Sequence, residues 1–352
     1  MMEKEKIFYH AVAIALEGDP SSMRRVRKRC GDIPKPWETI YNELPNPPNP
    51  DEAWERLEQS GVQFIFADDE AFPPCLREIY HPPLGLYIRG ELSSLKSIGY
   101  ADSISIVGTR RATPEGKATT KRFARELTLA GFGIISGLAL GIDAAAHEGC
   151  LEADGRTAAV LAGGLDKFYP TTNEKLGKQI LENDGVVISE YPPGEPPYGY
   201  RFLERNRIVS GFSSGVLVIE CPERSGSLAT AAYAAQQNRN LFVIPGPISH
   251  PNFFGSHQLI RQGAELVTSP EDILETYGMV NNTREKKFER EIASTSNEEK
   301  QVLLALREIS AAADVDKIAE VAKLEPRTAN QALTFLIMKG LVKETAVGYI
   351  IE

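Results

Sequence analysis

The middle of the chain consists of short apolar runs separated by longer stretches whose apolar residues recur every three or four positions. The runs at 104–107 (ISIV), 133–136 (GIIS), 157–161 (TAAVL), 186–189 (VVIS), 216–220 (VLVIE) and 241–244 (LFVI) are too short for helices, and they predict buried strands. Between them the helical period predicts helices over 114–129, 142–152, 173–183, 202–210, 227–238 and 254–262. A further strand is predicted at 61–66 (GVQFIF), followed by a proline-rich passage through Pro73, Pro74, Pro82 and Pro83. Strands that alternate with helices and carry no polar face predict a mostly parallel sheet covered on both sides, a Rossmann-like, doubly wound α/β core. Ligands of such sheets bind beyond the C-terminal ends of the strands.

The flanks follow different patterns. Ile7, Val12, Ile14 and Leu16 predict a helix in a small helical unit over 1–50, of the SAM or helix-hairpin-helix kind, and the proline-rich stretch at 45–50 reads as its linker. The core is expected over 51–280. Residues 281–297 read as a tether, with Phe288 and Ile292 as their sizeable apolar residues. In 298–352, Val302, Leu303, Leu306 and Ile309 recur at helical spacing, two more helices are predicted at 314–324 and 326–339, and 341–351 reads as a hairpin. Three helices and a hairpin predict a winged-helix domain. Its recognition helix would offer only Arg327 and Lys339 beside Glu325, which favours partner contact over groove reading.

Composition narrows the class. A net charge of −9 argues against a wholly basic nucleic-acid binder and leaves room for a local basic groove. The block 23–31 (MRRVRKRCG) reads either as a nucleic-acid contact or as the solvated face of a short helix. Cys30, Cys75, Cys150 and Cys221 lie far apart with no CxxC pair, so neither a metal site nor a redox dithiol is expected. No apolar run approaches the roughly 20 residues of a membrane span, and the N-terminus has no signal-peptide pattern, so a cytoplasmic protein without membrane contact is expected.

The chemistry concentrates in the loops after the strands. Gly108, Thr109, Arg110 and Arg111 end the 104–107 run with a glycine turn and two guanidinium groups. Glycine lets the backbone approach a ligand, Pro114 opens the next helix, and the amides and dipole of that helix N-terminus favour an anion. Phosphate is therefore the expected ligand. After the next strand, Asp143 and His147 share one helix face. They suit a general base or a structural hydrogen bond beneath the loops, and the lack of a nearby nucleophile favours the latter. Gly163 and Gly164 are expected to expose amides, Lys167 to add charge and Phe168 to offer a ring to a base, with Tyr169 packed into the core. Arg205, Asn206 and Arg207 lie on a helix, where a spacing of two sends the arginines to different faces, one toward a ligand and the other toward a carboxylate. Ser225, Gly226 and Ser227 start another helix and form a second anion candidate, or merely a cap.

Several cradles along one rim suit a polyanion such as a single strand. The first turn is not GxGxxG, because the glycine after Gly108 is Gly116, and GxxxxGK[ST] does not occur, so NAD and P-loop chemistry lose support and no cofactor is expected.

Taken in order, SIVGTR (105–110), SGLALGIDAAAH (136–147), AGGLDKFYPTTN (162–173), RFLERNRIVSG (201–211), ERSGSLATAAYA (223–234) and VIPGPI (243–248) resemble the DprA/Smf family, the DNA-processing proteins of natural transformation. The resemblance covers roughly 60–278, and the flanks fit the family's three-part organisation. It implies a homodimer that binds single-stranded DNA and loads RecA recombinase without catalytic turnover. Carried over by motif, it places Gly108, Thr109, Arg110, Arg111, Gly164, Lys167, Arg205, Asn206 and Ser225 at the DNA, and the segment containing His257, Ile260 and Leu266 at the dimer contact. Many members carry lysine after the Tyr-Pro pair; Thr171 stands there here, and Lys167 is the candidate substitute. The competing enzyme reading is a lysine-decarboxylase-like phosphoribohydrolase, which needs a glutamate on the helix after the glycine turn, and 225–238 holds no carboxylate. A regulator acting through the C-terminal domain is the third reading, and the weak charge of that domain argues against it.

Overall fold

A computed structural model describes residues 2–27, 35–98, 102–279, 295–309, 311–345 and 347–351. By its contacts the chain forms two compact units, Met1–Thr276 and Tyr277–Glu352. The first begins with helices α1 (Met2–Ala15), α2 (Pro20–Arg27), α3 (Trp37–Glu43) and α4 (Pro50–Gln59). Strand β1 (Gln63–Phe66), helix α5 (Pro74–Arg77), strand β2 (Gly85–Arg89) and helix α6 (Leu92–Ile98) lead into the alternating region. That region runs β3 (Ser103–Val107), α7 (Pro114–Ala130), β4 (Gly133–Ser136), α8 (Ile142–Leu151), β5 (Thr157–Leu161), α9 (Glu174–Glu182) and β6 (Val186–Ser189). It continues through α10 (Gly199–Gly211), β7 (Gly215–Val218), α11 (Gly226–Gln236), β8 (Asn240–Val243), α12 (Phe254–Arg261), β9 (Glu265–Leu266) and α13 (Pro270–Thr276).

Among the described residues nine strands form one sheet in the order β1-β2-β6-β5-β4-β3-β7-β8-β9. β3 to β9 run parallel to one another, and β2 is antiparallel to both β1 and β6. The chain therefore builds outward from β3 through β4, β5 and β6, then returns to the other side of β3 with β7. The order reverses between β3 and β7, and in a doubly wound sheet that switch point opens a crevice.

Side-chain alternation explains the double cover. In β5, Ala158 and Val160 enter the core cluster shared with α10, α11 and α12, while Ala159 and Leu161 enter the opposite cluster with Leu176 and Ile180 of α9. β6 splits likewise, Val186 and Ile188 against Val187. The central strands β3 to β7 are thus buried on both faces, which is why they read as apolar runs rather than alternating ones. The N-terminal helices complete the second face: Tyr9 stacks on Phe64 at 4.6 Å and meets Trp37 edge-on at 4.8 Å, and His10 Nδ1 lies 2.9 Å from the Tyr87 hydroxyl. Within the basic block, Arg27 lies over the Trp37 ring at 4.5 Å; residues 28–31 fall outside the described residues.

The doubly wound α/β core expected from the apolar pattern is the fold observed. β2, α5 and α6 were not expected, and β7 ends at Val218, before Ile219 and Glu220. The second unit contains α14 (Asn297–Ile309), α15 (Val315–Ala322), α16 (Pro326–Met338) and an antiparallel hairpin of β10 (Val342–Thr345) and β11 (Gly348–Ile351), around Val302, Leu306, Ile318, Leu333 and Leu336. Most of the expected 281–297 tether lies outside the described residues. Among the described residues no helix is long and apolar enough to cross a membrane.

Candidate nucleic-acid interface

An open cleft of about 700 Å³ lies at the β3/β7 switch point, lined by the turns after β3, β4 and β7 and by one side of α10. Gly108 sits where chains cross closely: a Cβ there would fall 2.6 Å from Ile142 Cγ1 and 3.0 Å from the Glu220 carbonyl. The Thr109 amide donates to that carbonyl at 2.8 Å, which locks the turn to the end of β7. Arg110 and Arg111 are exposed, and the Arg110 guanidinium lies 4.6 Å from the centre of the Phe202 ring.

The N-terminus of α7 is not the phosphate cradle that the strand, glycine turn and helix predict. A buried carboxylate of the chain already occupies it. Glu220 accepts from the Thr113 amide (3.1 Å), the Thr113 hydroxyl (2.5 Å) and Asn252 Nδ2 (2.7 Å), and Thr113 caps the helix through the Gly116 amide at 2.9 Å. Asn252 also donates to the Arg111 carbonyl at 3.2 Å. An acid at a helix N-terminus is favourable, so Glu220 shapes the arginine turn and leaves charge recognition to the guanidinium groups. The opposite rim is the N-terminus of α11. Ser225 caps it through the Ser227 amide at 3.2 Å, Asn206 Nδ2 donates to the Gly226 carbonyl at 3.1 Å, and exposed Arg224 precedes it.

Arg205 lines the cleft from beneath. It is buried, and its Nη1 donates to the carbonyls of Gly137 (3.0 Å) and Val160. A Cβ on Gly137 would meet the Arg205 guanidinium, so glycine lets the arginine reach its carbonyl partners here. Burial lowers the Arg205 pKa to about 10, Asp143 opposing and Arg110 adding to the shift. Burial raises the pKa of Asp143 against the pull of Arg205; its carboxylate accepts from the amides of Gly137 (3.1 Å) and Ala139 (3.4 Å). Asp143 is the one carboxylate among the described lining residues.

Other expectations require correction. Asp143 and His147 are not hydrogen-bonded to each other. Thr157 spends its proton on the Ile134 carbonyl (2.6 Å), so its oxygen accepts from His147 Nδ1 at 2.7 Å, and burial lowers the His147 pKa to about 3. Arg207 faces the carboxylate, but away from the rim: Nη2 meets both Glu190 oxygens at 2.7 and 2.6 Å in a buried pair. Phe168 and Tyr169 exchange the roles assigned to them. Phe168 is buried beside Leu176, whereas Tyr169 is 46% exposed, lines the cleft and stands 5.7 Å from Phe202. The Gly164 amide is not open, since its N–H donates to the Glu195 carbonyl at 2.8 Å, and Gly163 packs closely under the same segment, where a Cβ would fall 2.9 Å from that oxygen. Lys167 is exposed outside the cleft lining. The cause is sheet order, because β5 lies two strands, roughly 10 Å, from β3.

The cleft thus gathers Gly108, Thr109, Arg110, Arg111, Arg205, Asn206, Ser225, Gly226 and Ser227, and leaves out Gly163, Gly164, Lys167, Phe168 and Arg207. Arg224 and Phe202 belong to it without having been singled out, and Tyr169 joins them from its expected place in the core; the exposed position of Arg224 before a serine cap was the available signal. At the far sheet edge, His257 Nε2 lies 3.0 Å from the Gly246 carbonyl, Ile260 packs against the core, and Leu266 on β9 is 47% exposed. The thiols of Cys75 and Cys150 are buried, with pKa values raised by burial to about 12 and about 11, and Cys221 is buried too; Cys30 lies outside the described residues. Among the described residues no cluster of His, Cys, Asp or Glu could hold a metal ion.

Fold and site together define a doubly wound α/β protein with a cationic, aromatic-walled groove at its topological switch point. A family model described as DNA recombination-mediator protein A matches residues 63–278, and the chain belongs to that family. It is 42% identical over 232 residues to protein Smf of Synechocystis sp. (66% of this chain, 58% of that protein). It is 44% identical over 219 residues to protein Smf of Escherichia coli (62% and 58%). The match thus spans less than two thirds of either relative. Among solved structures, DNA processing protein A from Streptococcus pneumoniae superimposes with a TM-score of 0.62 at 32% identity, covering 78% of this chain and 96% of that one. DNA processing protein A from Helicobacter pylori, whose structure is reported for its single-stranded DNA binding mode, gives a TM-score of 0.54 at 32% identity, covering 62% and 96%.

Proposed function

We propose that this chain is a non-enzymatic DNA-processing protein that binds single-stranded DNA in the switch-point groove, protects the strand and loads RecA recombinase onto it as a homodimer. The observation that carries the reading is the groove's composition: exposed Arg110, Arg111 and Arg224 face an aromatic wall of Tyr169 and Phe202, and the lining carboxylate, Asp143, is buried and bonded to amides. Guanidinium groups match phosphate oxygens, rings accept unpaired bases, and buried Arg205 adds positive potential to the floor without touching the strand. Family membership and the Helicobacter relative's single-strand binding agree with this role. A hydrolase would need a free carboxylate facing the groove, and Asp143 is committed to the loop it holds. In the proposed dimer, Leu266 and the segment from His257 through Ile260 meet a second copy and join two grooves.

Fluorescence anisotropy with single-stranded and duplex oligonucleotides of equal length, at two stated salt concentrations, tests the reading. Preference for the single strand is expected, together with shortened assembly of RecA filaments on strands carrying the protein. Equal or greater affinity for the duplex would refute it.

A further inference from the structure

The groove's aromatic wall continues beyond its mouth. Tyr198 and Tyr200 are 47% and 52% exposed, and their rings lie within 10° of parallel with centroids 6.1 Å apart. Pro197 and Gly199, on either side of Tyr198, line the groove, so the pair adjoins the wall formed by Tyr169 and Phe202. Two large rings held in the open at the start of α10 form an exposed apolar surface of the kind that marks an interaction site.

The rings are held from behind. Arg201 is fully buried, its guanidinium 4.9 Å from the Tyr198 ring centre, 5.9 Å from that of Tyr200 and 4.5 Å from that of buried Tyr191. It donates to the Glu195 carboxylate (2.9 Å), the Pro196 carbonyl (2.9 Å) and the Glu17 carbonyl (2.5 Å). An arginine committed to three acceptors does not reach for a phosphate. It fixes the tyrosines through cation–π contact, and a ring fixed before binding loses little freedom when a partner stacks on it.

We propose that Tyr198 and Tyr200 form a base-stacking platform for unpaired nucleobases of the strand as it leaves the groove. The proposal rests on the single-strand reading of the groove and names which part of the strand the start of α10 recognises. Stacking needs a free base face, which a duplex hides and a bare backbone lacks. Phosphate contacts hold the strand whatever its bases, whereas the tyrosines respond to bases alone.

The test compares an oligothymidylate with an abasic strand of the same length and backbone, using the full chain. The wild type is expected to bind the oligothymidylate at least about 10-fold more tightly, the scale of one stacked base. In Tyr198→Ala/Tyr200→Ala that ratio falls severalfold, to the share carried by Tyr169 and Phe202, and in Tyr198→Phe/Tyr200→Phe, which keeps both rings, it returns. Tyr200→Ala alone, at the more exposed ring and the one farther from Arg201, lowers the ratio and leaves the Arg201 bonds to Glu195, Pro196 and Glu17 in place. If the wild type binds neither strand, the groove reading fails and the platform with it. If it binds both equally, or if the alanine variants keep the full ratio, the platform is overturned while the groove reading stands.

Discussion

Arg110 is the group whose removal reports most directly on the groove. It is exposed, stacked on Phe202 at 4.6 Å, and has no ion-pair partner among the described residues. Arg110→Ala therefore strands no buried charge. The lost ring contact costs about 0.5–1 kcal/mol at an exposed site, too little to unfold a core of this size. The effect on DNA is of another kind. Each single-strand phosphate neutralised by a cation contributes about 0.7 to the slope of log affinity against log salt. Removing one contact lowers the slope by that amount, so a roughly fourfold rise in salt weakens the wild type about 2.5-fold more than the variant. Arg110→Ala/Arg111→Ala doubles the change in slope to about 1.4, so the same rise in salt separates the two proteins about 7-fold. The assay is an anisotropy titration against one oligonucleotide across a salt series, with thermal melting as the control. Parallel slopes for wild type and variant would remove Arg110 from the phosphate track and refute the placement of the groove.

Two further outcomes concern what lies beneath the loops. Arg207→Ala leaves the Glu190 carboxylate buried without its bidentate partner, and a loss of about 3–5 kcal/mol is expected in urea denaturation; the salt slope stays unchanged, and a stable variant with a reduced slope would return Arg207 to the DNA. His147, fully buried, has a pKa lowered to about 3 from an ordinary 6.5. The unfolded chain therefore takes up the proton first, so this contribution to stability is complete above pH 6.5 and is lost as the pH falls toward 3. At pH 4.5 the loss is roughly 2–3 kcal/mol. His147→Gln should shrink the difference in stability between pH 7 and 4.5 by that amount, and an unchanged difference would show that His147 is not the titrating group.

What was legible in the chain, and what was not, follows from the range of each interaction. A strand buried on both faces must be apolar throughout, so β3 to β8 announced themselves, and the glycine turns and serine cap marked where loops carry chemistry. β2 passed unnoticed because five residues after a proline pair show no period; its place comes from pairing with β1 and β6. The i, i+2 spacing separated Arg205 from Arg207 but could not say that both would be buried, since the Gly137 carbonyl and the Glu190 carboxylate arrive from distant loops.

Local sequence thus determined the elements, the double-sided burial and the family motifs, because hydrophobic period, turn chemistry and capping act over a few residues. Strand order was decided only in three dimensions. Placing β7 beside β3 opened the groove there, left the Gly163–Gly164 turn packed under the 195–197 segment two strands away, and brought Glu220 to the start of α7 in place of a ligand. The same glycine can free an amide or admit a neighbouring chain, and the same ring can face water or core. Which occurs depends on what packs against it, and that neighbour comes from elsewhere in the chain.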